Sequence, residues 1–343
     1  MAAPGRVTND PTNYLSFALQ SAKDVDGTTF YHTKHLDGSG FDVAIAQSSE
    51  RVGGSGREVG LRYRTKVTAD GQYVVYAQPD VLGRILATAL GADTVTAGPS
   101  NASLQLYNHT IVSGASGLPY QTVEQGWADE VERTTNCLLS DVKLEGEAGR
   151  PVKVSVQFVS GGTPHTQVAA LTPVREGGFP LMVPGASVAI IASGGLTAGL
   201  GASSLQVTKW SAEIKNTLDD AIQTVALNRE DVLWLAADYE LDGTFKYINK
   251  DFWNSVQYSG GVQVGTGFLT SGQFIFYTAT PSNTAMTLNA PFVEFTGLKV
   301  NRLDPDGKTM YIDFTAATRN IGSQALICTV VSPAATSYML PNT

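Results

Sequence analysis

Only two cysteines, Cys137 and Cys328, occur in 343 residues, so no disulfide framework is available and a reducing compartment is expected. Charge is sparse: Asp, Glu, Lys and Arg make up 16% of the chain, and 31 acids outweigh 23 Lys plus Arg for a net charge of −8. That balance makes the chain a poor candidate for tight phosphate binding, which needs clustered Lys and Arg. It leaves room for a protein that nucleic acid must pass without sticking. The most apolar stretch, Ala186 to Leu205, is broken by Gly194, Gly195, Gly199 and Gly201, which makes it a poor membrane span. The opening residues MAAPGRVTNDPTNY lack the apolar centre of a secretory signal. Asn101-Ala-Ser and Asn108-His-Thr are therefore read as chance matches to a glycosylation pattern.

The groups that carry chemistry are equally thin. There are four histidines. His32 and His35 lie on a strand or loop, where residues three apart do not converge on a metal, and both are read as surface groups. Asp304-Pro-Asp306-Gly307-Lys308-Thr309 lacks the later Glu of a calcium loop and the upstream glycine of a phosphate loop, so it reads as a hairpin turn. Gly53-Gly54-Ser55-Gly56 is not followed by a helix. Asp219-Asp220 and Glu230-Asp231 are placed in solvated loops. Trp127, Trp210, Trp234 and Trp253 are scattered and form no aromatic platform. No enzyme, cofactor or metal is expected.

What is present is β-structure. The chain is 43% hydrophobic with 35 glycines, enough for packed cores and many turns. Asn136 to Gly161 reads as a long hairpin. Leu138, Ser140, Val142 and Leu144 share one face of its first arm, and Asp141, Lys143 and Glu145 the other. The return arm sets Val152, Val154, Val156 and Phe158 against Lys153, Ser155 and Gln157. Phe295 to Arg319 repeats the form, with Leu298 and Val300 leading into the turn and Met310, Ile312, Phe314 and Ala316 alternating with Thr309, Tyr311, Asp313 and Thr315. Lys143 falls on Lys299.

The surrounding elements also recur. In the first half, strands at Tyr14–Leu19 and Phe41–Ala46 precede a small polar loop, Gln47–Arg57. A strand at Val59–Thr68, a turn at Asp70-Gly71 and a strand at Tyr73–Tyr76 follow. A helix over Pro79–Leu90 stops at Gly91, and short strands at Leu104–Ile111 and Gln121–Trp127 lead to the hairpin. After a Gly/Pro-rich stretch with one strand at Val188–Ala192, the second half offers a strand region at Ser204–Lys215 and a loop at Thr217–Glu230. A strand at Val232–Leu241, a turn at Asp242-Gly243 and a continuation at Thr244–Ile248 come next. A short helix with Phe252, Trp253 and Val256 on its apolar face, a strand at Gly272–Ala279, the second hairpin and a last strand at Ala325–Val331 complete it. The shared order implies a duplication, with domains over 1–185 and 186–343 and a junction within 180–204.

These elements resemble the tail tube (major tail) proteins of long-tailed, siphovirus-like bacteriophages. The resemblance rests on the strand pair around Gln47–Arg57, the helix Pro79–Leu90, and LGADTVTAGPSNASLQLYNHTI followed by TVEQGW and NCLLSDVKLEGEAGRPVKVSVQF. It implies a mainly β fold of two tandem tube-type sandwich or barrel domains, each with one short helix and a long hairpin. It also implies a structural virion protein, made in the host cytoplasm, whose stacked rings form a channel for DNA. Lumen-lining candidates are then Asp141, Lys143, Glu145, Lys153, Ser155, Gln157, Lys299, Thr309, Tyr311, Asp313 and Thr315. Inter-ring candidates are Ser48, Ser49, Glu50, Arg51, Gly53, Gly54, Ser55, Gly56 and Arg57, with 221–230 as a second loop. The implied partners are further copies of the chain, as a trimeric ring with pseudo-sixfold symmetry or else a hexamer. The tape measure protein, tail-end proteins and transient double-stranded DNA complete the set; no membrane is involved. A capsid decoration protein and a carbohydrate-binding sandwich are the rival readings.

Overall fold

The computed structural model describes residues 14–32, 35–36, 39–50, 61–101, 104–115, 117–127, 130–162, 165–167, 174–175, 180–183, 188–192, 207–219, 229, 231–246, 258–259, 262–263, 272–279, 284–291, 293–301, 311–318, 320 and 324–339. In chain order the strands begin with β1 (Tyr14–Leu19), β2 (Tyr31–His32), β3 (Gly40–Glu50) and β4 (Leu61–Tyr76). Helix α1 (Pro79–Leu90) precedes β5 (Gly91–Asn101), β6 (Leu104–Ser113), β7 (Gln121–Trp127), β8 (Glu130–Glu147) and β9 (Lys153–Ser160). Short strands β10 (His165–Gln167), β11 (Val174–Arg175) and β12 (Val188–Ala192) lead to β13 (Val207–Asp219) and β14 (Leu233–Lys246). The remainder are β15 (Tyr258–Ser259), β16 (Val262–Gln263), β17 (Gly272–Ala279), β18 (Ala285–Ala290), β19 (Val293–Asn301), β20 (Tyr311–Thr318) and β21 (Ile327–Ser332).

Local chemistry explains α1. Pro79 opens it, where a missing N–H costs nothing, and Asp80 in the first turn complements the helix dipole. Gly91 closes it at φ 94°, a left-handed conformation that favours glycine. The helix is apolar almost all round because it lies between two sheets, against β8 on one side and β5, β6 and β21 on the other.

The larger sheet carries the run β3-β4-β9-β8-β13-β14-β20-β19, antiparallel at every step. β8 is long enough to serve two sets of neighbours: its first part pairs with β7 and β10, its last with β9 and β13. The smaller sheet runs β12-β17-β18-β21-β6-β5. Val142, Leu144, Val154, Val156, Phe158, Ile214, Leu241, Ile312 and Phe314 from the larger sheet share one core with Ile111, Met286, Leu288 and Val330 from the smaller. Each such side chain, fully buried, is worth about 1.5–3 kcal/mol. β8–β13 and β6–β21 join strands of the first and second halves in both sheets.

Several expectations change. Asp70-Gly71 and Asp242-Gly243 are not turns: β4 and β14 run straight through them. The glycines are there for close approach. A Cβ at Gly71 would lie 2.5 Å from the Cβ of Phe41, and one at Gly243 would lie 2.6 Å from the Phe314 ring. Gln47–Glu50 belongs to β3, not to a loop. Thr217–Asp219 closes β13, and Arg229 is buried, donating to Asp70 and to the Ser160 carbonyl. β5 and β18 are strands that local pattern did not announce. Leu138 leaves the Val142–Leu144 face because a bulge between Leu139 and Asp141 shifts the alternation. His32 is buried, with Nδ1 2.8 Å from the Leu15 carbonyl. Asp231 is not merely solvated: it accepts from Lys23 and Tyr120. The helix expected around 249–256 lies outside the described residues.

Candidate functional site: one sheet face and two open edges

The eight-strand run divides into two sets of four with the same internal order. β3–β4 is a hairpin whose second strand pairs with the return strand of hairpin β8–β9; β13–β14 stands in the same relation to β19–β20. The bulges also correspond. One falls between Leu139 and Asp141 in β8, the other between Phe295 and Gly297 in β19. Anchored there, the row Gly40–Gln72–Gln157–Asp141 matches the row Ser211–Asp242–Thr315–Gly297.

Alternation sends one face of this run into the core and leaves the other wet. The wet face holds Asp141, Lys143, Glu145, Lys153, Ser155 and Gln157 on β8 and β9, and Lys299, Tyr311, Asp313 and Thr315 on β19 and β20. One face thus brings together ten residues singled out in the sequence. Thr309 lies outside the described residues, as do Arg51, Gly53, Gly54, Ser55, Gly56 and Arg57. Ser48, Ser49 and Glu50 are paired backbone positions in β3.

The sequence reading missed half of this face. Lys209, Ser211, Glu213 and Lys215 of β13, with Glu240, Asp242 and Thr244 of β14, fill the rows between β8 and β20. Their signal was available in Val207–Asp219, where Trp210, Ala212 and Ile214 alternate with polar residues. Asp42, Gln72 and Tyr76 extend the face onto β3 and β4.

Its electrostatics are those of a mixed surface with an acidic excess. Lys143 pairs with Glu145 at 2.9 Å. Lys215 reaches Glu240 at 2.7 Å and Glu213 at 3.3 Å, and the hydrogen bond to Glu240 leads in holding its ammonium charged. Thr244 donates to Asp313 at 2.7 Å. Partial burial, then a hydrogen bond and repulsion from Glu213, push the Asp141 carboxyl up to about 7. Lysines held by neighbouring carboxylates have little left to offer a phosphate backbone.

Among the described residues the face has no catalytic constellation. A depression of about 600 Å³ on it is lined by Glu145, Asp242, Asp313, Lys153, Lys209 and Trp210 among others, with neither histidine nor cysteine. Among the described residues no cluster of His, Cys, Asp and Glu is placed to hold a metal. No described helix is long and apolar enough to cross a membrane. Cys137 and Cys328 are free and buried, and burial pushes the Cys137 thiol up to about 12.

The run also ends in two open edges. Among the described residues β3 pairs only with β4, and β19 only with β20. Unpaired strand edges are liabilities unless another chain covers them. No curated protein matches the sequence. The family description for phage tail tube protein matches residues 12–260. The chain therefore belongs to the phage tail tube protein family: it is a structural, non-enzymatic component of the virion tail, and it assembles into the tail tube.

Proposed function

We propose that each copy of this chain supplies two tube units, that three copies close one ring of pseudo-sixfold symmetry, and that the wet face lines the channel for double-stranded DNA. The observation that carries this is the repeated strand order with matching bulges, β3-β4-β9-β8 followed by β13-β14-β20-β19. Three copies of this eight-strand run make a wall of twenty-four strands. At about 4.8 Å between strands and a tilt of about 40°, such a barrel has a backbone diameter of roughly 50 Å. That leaves space for a duplex inside the side chains. The acidic excess of the wet face suits passage, because lysines paired with acids do not grip phosphates. The apolar face, buried against α1 and the smaller sheet, forms the outer body of the wall.

Rings must also stack, and a head-to-tail contact that does not close on itself gives a filament. The stacking contact is assigned to residues 51–57, beyond the paired positions Ser48, Ser49 and Glu50. The tape measure protein and the tail-end proteins are the further partners of this reading.

Negative-stain imaging with mass measurement of single rings tests the stoichiometry. Rings of three chains are expected; rings of six overturn the two-unit reading. Deleting 51–57 is expected to leave rings that do not stack, and tubes of normal length from that variant overturn the loop assignment. Thr315→Lys and Gln157→Lys together are expected to leave tubes intact but make them retain DNA at low salt. Tubes that release DNA as the parent does overturn the channel-face assignment.

A further inference from the structure

We propose that β19 of one copy pairs antiparallel with β3 of the next, in one register: Asn301 opposite Gly40, Lys299 opposite Asp42 and Gly297 opposite Ala44. The inference rests on the ring reading above and adds the joint by which it closes.

The template is inside the chain. β8, the last strand of the first set, pairs with β13, the first strand of the second set, at Glu145↔Ser211, Lys143↔Glu213 and Asp141↔Lys215. β19 is the last strand of the second set and β3 the first strand of the first. The direction is right: neighbours alternate without exception along the run, so β19 and a following β3 meet antiparallel. The bulges set the offset on one side, placing Asp141 on Gly297, Lys143 on Lys299 and Glu145 on Asn301. The matched rows set it on the other, placing Ser211 on Gly40 and Glu213 on Asp42.

Charge then supplies an independent check. The register derived from backbone correspondence alone puts a lysine opposite an acid, Lys299 against Asp42, as Lys143 stands against Glu213 at the internal junction. Lys299 and Asp42 are both exposed. A slip of two residues brings Lys299 against Ala44 or Gly297 against Asp42 and loses the pair. A slip of one inverts the faces of a whole strand. By residue type the same register sets Val300 opposite Phe41 and Leu298 opposite Val43, an apolar residue across from an apolar residue at each position. The occupant of each edge is therefore a second copy of this chain. Opposite charges directly across a strand pair favour this partner, and like charges disfavour it.

Cysteine pairing tests the register. Cys137 and Cys328 are buried, so introduced thiols are the ones that oxidise. Tubes of the parent chain are imaged first, which tests the ring reading by itself. Asp42→Cys with Lys299→Cys is then oxidised in assembled tubes, beside Ala44→Cys with Lys299→Cys as the slipped control. Directly opposed Cβ atoms lie within about 5.5 Å, close to disulfide reach, and diagonal ones lie farther. The expected result is a ladder of linked chains from the first pair and none from the second. Linking only by the control overturns the register. Tubes that form without either link overturn the edge pairing while leaving the tube function standing. A charge exchange gives a second readout if the cysteine chains do not fold. Asp42→Lys and Lys299→Asp are each expected to raise the critical assembly concentration, on the order of threefold per junction, and the double variant to restore it. A double variant no better than the singles overturns the pairing.

Discussion

Asn216 of β13 donates from one side-chain nitrogen to two backbone carbonyls, Ala89 at the end of α1 (3.1 Å) and Leu139 at the bulge of β8 (2.9 Å). Ala89 lies in the last turn of the helix, where carbonyls have no intrahelical partner, and the bulge interrupts the ladder at Leu139. One buried amide thus ties helix, bulge and the junction of the two strand sets together. Asn216→Ala leaves buried carbonyls unsatisfied and is expected to cost about 1–3 kcal/mol in urea unfolding of the unassembled chain. No measurable loss would show that the three elements are held by packing alone.

Arg133 and Glu124 form a buried ion pair between β8 and β7. Their side chains are 7% and 0% exposed, and both Nε and Nη2 of Arg133 reach one carboxylate oxygen, at 3.1 and 2.5 Å. Arg133→Met strands a buried carboxylate and is expected to cost about 3–5 kcal/mol. Adding Glu124→Gln removes that charge while an amide oxygen still accepts from Tyr14, which now bonds Glu124 at 2.6 Å. The double variant is expected to recover most of the loss. A double variant as unstable as the single would place the energy in packing of the guanidinium, which also lies over Phe30.

Gly243→Ala drives a methyl against the Phe314 ring and to 3.0 Å from the Lys209 carbonyl. Overpacking of this kind costs about 1–3 kcal/mol. Phe314→Leu is expected to be destabilising alone but to soften the loss in the Gly243→Ala background. Thermal melts of the four chains check this as a cycle, and strict additivity would refute the contact.

Asp141 makes the unassembled chain sensitive to pH. Its folded carboxyl is raised from 3.8 to about 7, by partial burial first and Glu213 second. Between those values the folded state holds a proton that the unfolded chain has released. Its contribution therefore weakens as pH rises from about 4 to about 7 and levels off above. Asp141→Asn removes that part of the slope. Its stability relative to the parent is expected to be greater at pH 8 than at pH 4, as read by urea titrations at both. An unchanged difference across the two would contradict the raised Asp141 carboxyl.

Local pattern made much of this fold legible. Pro79 and Gly91 bound α1 because their backbone preferences act on the spot. Alternation over Cys137–Phe158 and Tyr311–Thr318 assigned the wet face, since a strand's period is a property of the strand itself. The Asp-Gly pairs misled for the opposite reason. Gly71 and Gly243 answer to Phe41 and Phe314 on neighbouring strands, and nothing beside them in the chain announces those rings. Ser140 likewise reads as part of a regular stripe until its partner strand shows the bulge.

By itself, then, the sequence determined most of the segments that become strands, the alternating faces of the two hairpins, and a chain with more acids than bases; the acidic excess of the wet face came only with Glu213, Glu240 and Asp242, which the fold sets between β8 and β20. Only the tertiary structure decided that β8 lies beside β13, that both sheets run from one half of the chain to the other, and that, among the described residues, β3 and β19 are left as edges. Strand pairing joins residues far apart in the chain through backbone groups that every residue carries alike. Side-chain pattern narrows the choice of neighbour, and packing of the whole core selects among what remains.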